Sequence, residues 1–156
     1  MGTVADRIAQ LGLTLPTAAP PVATYVPAVQ AGKFVYTSGQ LPFVSGALPA
    51  TGKVGVGDGL VDPIDAAGYA GTAALNALAA IEALIGDLDQ IVRVVKVVGY
   101  VASDPGFTGQ PQVVNGASDL LGSIFGDAGV HARSAVGVAV LPLDAPVEVE
   151  LLVEVR

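Results

Sequence analysis

The apolar positions of this chain change period along its length, and those changes predict its elements. Val4, Ile8 and Leu11 recur at helical spacing and stop at Gly12, which predicts a short amphipathic helix. Residues 14–21 hold three prolines and read as an extended connector. Strand patterns over Tyr25–Gln30 and Phe34–Ser38 flank Ala31-Gly32-Lys33, a hairpin turn with glycine where φ must be positive. Residues 43–60 carry Gly46, Gly52, Gly55, Gly57 and Gly59 with no sustained period, so they read as an irregular loop, a flexible cover over a neighbouring site. Asp62-Pro63-Ile64-Asp65 then starts a helix, with a capping acid, proline in the first position and a second acid in the first turn. That helix runs to about Ile85, with Ile64, Leu75, Leu78 and Ile81 as its apolar face and Gly68 and Gly71 letting it lie close on a sheet. Ile91–Ala102 is apolar on both parities apart from Arg93 and Lys96, the pattern of a central strand covered on both faces, one by helices and the other by something beyond this small chain. Val113–Phe125 forms a second, weaker helix in which Asn115 is the most conspicuous polar residue.

The last stretch holds two strands, Arg133–Leu141 and Val147–Arg156, joined through Pro142 and Asp144-Ala145-Pro146, and reads as an antiparallel hairpin. The whole is one domain over residues 1–156, with a helical extension at about 1–20 and the order β-β-α-β-α-β-β, which sets two long helices against one sheet. In that hairpin Arg133 stands opposite about Val155 while Glu148 stands beside Leu141. At ~3.4 Å per residue the two lie more than ~20 Å apart. They cannot share one small-molecule site within a chain.

Composition narrows the function. With 52% apolar and only 13% charged residues, some surface must be covered, either by both faces of the sheet being packed or by contact between subunits. The absence of cysteine excludes disulfides, thiolate metal sites and thiol nucleophiles. The lone histidine, His131, makes no zinc site by itself and reads as structural; no metal or cofactor is implied. Fourteen acidic residues against seven scattered basic ones leave a net charge of −7, which argues against a nucleic-acid backbone as partner. Ala66–Gly86 has the length of a membrane span, but it is rich in Ala and Gly and contains Asn76 and Glu82, as an interior helix does. Gly46–Lys53 approaches a phosphate-binding loop, yet it is one residue too long and has Val54 where a hydroxyl should bind metal. The first twelve residues lack a basic segment followed by an apolar run, so a cytoplasmic location is expected.

Arg133, at the start of an otherwise small and apolar strand, is the first candidate for chemistry. Two readings are open: a strand-end arginine in a surface ion pair, or a planar fork that grips a small carboxylate bidentately. Glu148 likewise reads either as a general acid/base or as one of several outward polar residues, since Glu150 and Glu154 share its parity.

Phe34-Val-Tyr-Thr-Ser38-Gly39-Gln40-Leu-Pro42, the helix running into Ile91-Val-Arg-Val-Val-Lys-Val, Asn115, Ala132-Arg133-Ser134-Ala-Val-Gly-Val, Leu141-Pro142 and Val147-Glu148-Val-Glu150 follow one another in a known order. From about Pro20 to the C-terminus the chain resembles the Rid (YjgF-type) reactive-intermediate deaminases. The resemblance implies a chorismate-mutase-like α+β fold, a mixed sheet with the two long helices on one face, assembled as a homotrimer with sites in the clefts between subunits. It implies hydrolysis of enamine or imine intermediates, such as 2-aminoacrylate, to 2-keto acids and ammonia, without a cofactor. Arg133 matches the arginine that binds the substrate carboxylate, Glu148 the acid that positions water, and Tyr25, Ser38, Gly39 and Asn115 other positions lining the cleft. The chain departs from the family pattern in its longer Gly-rich segment, in Val26-Pro27 after the tyrosine, and in His131 standing where the family has proline. The rival functions are a non-catalytic trimer that binds a carboxylate metabolite and a ribonuclease, the second disfavoured by the acidic charge.

Overall fold

A computed structural model of the chain describes residues 3–21 and 23–156. The elements run α1 (Val4–Gln10), β1 (Ala28–Ala31), β2 (Phe34–Thr37), α2 (Pro63–Ile85), β3 (Ile91–Ala102), α3 (Gln110–Phe125), β4 (Ala132–Val138) and β5 (Val147–Val155). They build an α+β fold: a mixed five-stranded sheet in the order β1-β2-β5-β3-β4, with α2 and α3 on one face. Only β3 and β4 run parallel, joined by α3 as a crossover; every other neighbouring pair is antiparallel.

Strict alternation makes β5 the spine of the sheet. Its odd residues Val147, Val149, Leu151, Val153 and Val155 are buried against the helices, and its even residues Glu148, Glu150, Leu152 and Glu154 face the other way. This strand lies between β2 and β3, so the expected hairpin of the last two strands does not exist. Eight residues separate β4 from β5, more than a tight turn needs, and they include Pro142, Pro146 and the left-handed Leu143 and Asp144. They carry the chain past β3 to the vacant edge beside β2.

Helix α2 begins where the acid–proline signal places it, the Asp62 carboxylate accepting the Ile64 N–H at 2.8 Å. Its buried stripe is Ala66, Ala70, Ala73, Ala74, Ala77, Leu78 and Ile81, while Ile64, expected on that face, is 83% exposed. The helix passes the length and composition test for a membrane span, but its stripe packs on the sheet and on α3. The small residues serve a different contact from the one expected. A side chain at Gly116 of α3 would run into the Ala67 carbonyl, and one at Gly71 would meet the Gly116 carbonyl at 3.2 Å, so they set the α2–α3 spacing rather than a helix–sheet approach. Helix α3 starts three residues before its expected beginning, and in α1 Val4 and Ile8 are buried while Leu11 is not.

The Gly-rich segment is irregular, as expected, but it is not a loose cover. Val54 is fully buried and its N–H donates to the Ala102 carbonyl at 2.6 Å, Gly52 N–H donates to Asp144, and Asn76 Nδ2 of α2 donates to the Leu41 and Phe43 carbonyls at 2.9 and 3.1 Å. Within the chain strand β3 is covered on one face only, by the helices, as expected. Val94, Val97 and Val101 are buried under the helices, whereas Val92, Arg93 and Lys96 are exposed.

Candidate active site

Residue parity decides where each candidate side chain goes. Arg133 pairs with Val97, a core residue, so both point to the helix face of the sheet. There the guanidinium meets α3: Nη1 donates to Asn115 Oδ1 at 2.7 Å and to Ser118 Oγ at 3.2 Å, and Nη2 to the Pro111 carbonyl at 3.4 Å. Asn115 and Ser118 are three residues apart on the helix and therefore share a face. Every acceptor is neutral, and among the described residues Arg133 makes no ion pair. The surface-ion-pair reading is thus set aside. Five donors against three acceptors leave the Nε–H and one Nη2–H, two hydrogens on adjacent nitrogens, as a carboxylate takes them.

Glu148 lies on the opposite face. It pairs with Tyr100, which in turn pairs with Val136 of β4, so its row passes three residues beyond Arg133 on that strand. Two strand spacings and three residues put the two Cα atoms about 14 Å apart, with side chains on opposite sides of the sheet. The two groups do not meet within one chain, as expected, but the reason is the sheet between them rather than distance along a hairpin.

The Glu148 carboxylate is half-buried against the break in β2. Thr37 Oγ1 takes the Leu151 N–H at 2.9 Å, a bond that would otherwise go to backbone, and pairing resumes only where Gln40 and Val149 exchange bonds at 2.8 and 3.0 Å. Gly39 sits in that break. A Cβ there would fall on the Glu148 carboxylate, so glycine is what lets the carboxylate lie against the backbone. Burial, and then the neighbouring Glu150 charge, push the Glu148 carboxyl above its ordinary range. Tyr100 donates to Glu150 Oε1 at 3.3 Å, and burial together with the Glu150 and Glu148 charges raises its hydroxyl too. A half-buried carboxylate with a raised pKa is suited to exchanging a proton with water.

The remaining candidates sort beside these two. Ser38 donates from Oγ to the Val26 carbonyl at 2.7 Å and from its N–H to the Pro27 carbonyl at 2.8 Å, which uses the hydroxyl to tie β2 to the bend that holds Tyr25. Tyr25 is 49% exposed. The structure therefore gathers Asn115 with Arg133 on the helix face, and Gly39 with Glu148 on the open face. Ser118 was not among the expected site residues; its spacing of three from Asn115 is the pattern that would have pointed to it.

The open face carries Val29, Phe34, Tyr36, Val92 and Val136, all exposed, next to a cleft of about 230 Å³ lined by Tyr36, Lys96, Val98, Glu150 and Leu152. An apolar sheet face of this kind marks an interaction surface.

The family model described as "YjgF/chorismate mutase-like, putative endoribonuclease" matches residues 5–155. Protein TCP17 of Trypanosoma cruzi is 45% identical over 158 residues, covering 99% of this chain and 96% of that protein. The crystal structure of Atu1372, a protein of unknown function from Agrobacterium tumefaciens, superposes with a TM-score of 0.90 at 45% identity, covering 98% of this chain and 92% of that one. Escherichia coli TdcF with bound serine superposes at 0.60 and 25% identity, covering 89% and 93%.

Proposed function

Because the chain belongs to the YjgF/chorismate mutase-like family, we propose that it hydrolyses small carboxylate-bearing enamines and imines to 2-keto acids and ammonia, in sites shared between the subunits of a homotrimer. The observation that carries this reading is Arg133: a cation held in place by neutral acceptors, with two adjacent donors left over and no carboxylate of its own. The serine bound by TdcF bears the kind of group such a fork accepts.

In this reading Arg133 grips the substrate carboxylate and Asn115 helps fix the guanidinium. Glu148 of a neighbouring subunit takes a proton from water as its oxygen bonds to the imine carbon. An enamine enters the same route once it has tautomerised to the imine by taking a proton on carbon. The carbinolamine then collapses as the proton passes from Glu148 to nitrogen, the C–N bond breaks and ammonia leaves, while the hydroxyl returns its proton to the Glu148 carboxylate as the keto C=O forms. Positioning of this kind lowers a barrier by several kcal/mol, up to ~7 or more in favourable cases, and acid/base help adds ~10²–10⁴-fold. Tyr25, Ser38 and Gly39 line the cleft near Glu148. The exposed apolar residues of the open face support its burial against other copies.

The test generates imines with an amino-acid oxidase and traps them with semicarbazide. The protein should compete with the trap and lower the semicarbazone yield; equal yields with and without it would refute hydrolysis. Mixed trimers of Arg133→Ala and Glu148→Gln subunits should regain activity that neither parent has, because some sites receive both intact groups. Pyruvate binding without turnover would instead favour a carboxylate-binding trimer, and RNA cleavage dependent on Arg133 a ribonuclease, which the net charge of −7 disfavours.

A further inference from the structure

One group of side chains behind Arg133 has no role in the reaction as written. His131 stands two residues before Arg133, so it reaches the same helix face, and Ser118 of α3 lies between them. Ser118 Oγ and His131 Nε2 are 2.9 Å apart, and His131 Nδ1 contacts the Gly129 carbonyl.

The donors and acceptors in this group allow one arrangement for neutral imidazole. A carbonyl only accepts, so His131 Nδ1 carries the proton and donates it to Gly129. Nε2 is then an acceptor. The single proton of Ser118 goes to Nε2, which turns the hydroxyl lone pairs toward Arg133, and Nη1 donates to them at 3.2 Å. Both Nη1 hydrogens are thereby spent, one on Asn115 and one on Ser118, and the guanidinium cannot rotate without giving up one of them. The far end of the relay is equally fixed. Gly129 closes the 3₁₀ turn Gly126–Gly129, and a side chain there would run into the Leu121 carbonyl and lie 3.1 Å from Gly122 Cα of α3. The turn's backbone sits directly on the helix, and that holds the carbonyl that orients the ring.

We propose that His131 and Ser118 are positioning residues that hold the Arg133 fork in its carboxylate-binding orientation, through the relay Gly129 carbonyl, His131, Ser118, Arg133. The inference rests on Arg133 being the carboxylate site, but the relay itself rests only on this geometry. Removing His131 takes away the acceptor that points the Ser118 proton away from Arg133. The hydroxyl can then turn that proton toward Nη1, and Nη1 loses one of its two acceptors, leaving the guanidinium held by Asn115 and the Pro111 carbonyl.

The test reads the guanidinium directly, by ¹⁵N NMR of the Arg133 side chain in the intact protein. Wild type should show separate, slowly exchanging Nη1 and Nη2 signals. Ser118→Ala and His131→Ala should merge them, and His131→Gln, which keeps an acceptor, should preserve them. Pyruvate affinity should fall about 10-fold in each alanine variant, and the double variant should be no worse than either single, because both break one relay. Unchanged guanidinium signals in His131→Ala, or fully additive losses in the double variant, would overturn the proposal. Merging of the signals in variants of a protein that hydrolyses no imine would uphold the relay while refuting the reaction.

Discussion

The two faces of the sheet are built by opposite rules. On the helix face, alternating β5 residues and the alanine stripe of α2 close a core in which Val35, Val94, Val97 and Val153 are fully buried, and the Arg133 guanidinium that reaches α3 is met by three acceptors. On the open face the same strands present Phe34 and Tyr36, 40% and 46% exposed, beside Glu148, whose carboxyl is raised by burial and by the neighbouring Glu150 charge. The helix face is complete within one chain. The open face is apolar enough to need covering and charged enough to need a reason for it. The proposed site draws one group from each, which requires a second copy of the chain to bring them together.

Four experiments press on this contrast. The largest effect belongs to Arg133→Ala, which removes two charge-assisted contacts to substrate and should lower kcat/KM for imine hydrolysis by about 10²-fold or more with little change in Tm. Arg133→Lys should fail almost as badly, since a point charge does not reproduce the fork; an active lysine variant would mean that charge rather than geometry matters. Next is Gly39→Ala on the open face. Its Cβ displaces the Glu148 carboxylate, so activity should drop about 10-fold while the melting curve stays close to that of wild type. Gly99→Ala is the matched change on the helix face, where the new Cβ meets both methyl groups of Val114. It should cost about 1–3 kcal/mol of stability, several degrees of Tm, and leave KM unchanged. A large activity loss from Gly99→Ala, or a large stability loss from Gly39→Ala, would break the division between the faces.

The smallest effect is a pH dependence. The Glu148 carboxyl is raised in the folded chain, so the native state holds its proton more tightly than the unfolded state does. The ionised group therefore costs stability at pH 7, and that cost is relieved as pH falls through the raised value into the ordinary carboxylate range. Glu148→Gln should lose hydrolysis yet melt on the order of a degree or two higher at neutral pH, with the difference vanishing in acid. In wild type the acid limb of kcat/KM should fall above the usual carboxylate range. A Tm difference that grows toward low pH would contradict the shift.

Much of this was legible in the chain itself, because it depends on neighbours in sequence. The Asp62–Pro63 start of α2, the alternation of β5 and the Gly32 turn are local signals, and each of these elements formed within a few residues of its expected place. What required the tertiary structure was everything set by partners far along the chain. The insertion of β5 between β2 and β3 is one such case: a strand with one apolar parity shows that it needs a covered face, but not which edges will pair with it. The exposure of Ile64 and the use of Gly116 against Ala67 are others, because which side of a helix is buried depends on what packs there. Arg133 was conspicuous as a lone cation at a strand start. That it faces α3, that Ser118 and His131 stand behind it, and that Glu148 lies through the sheet from it follow from register and parity, which exist only once the strands have paired.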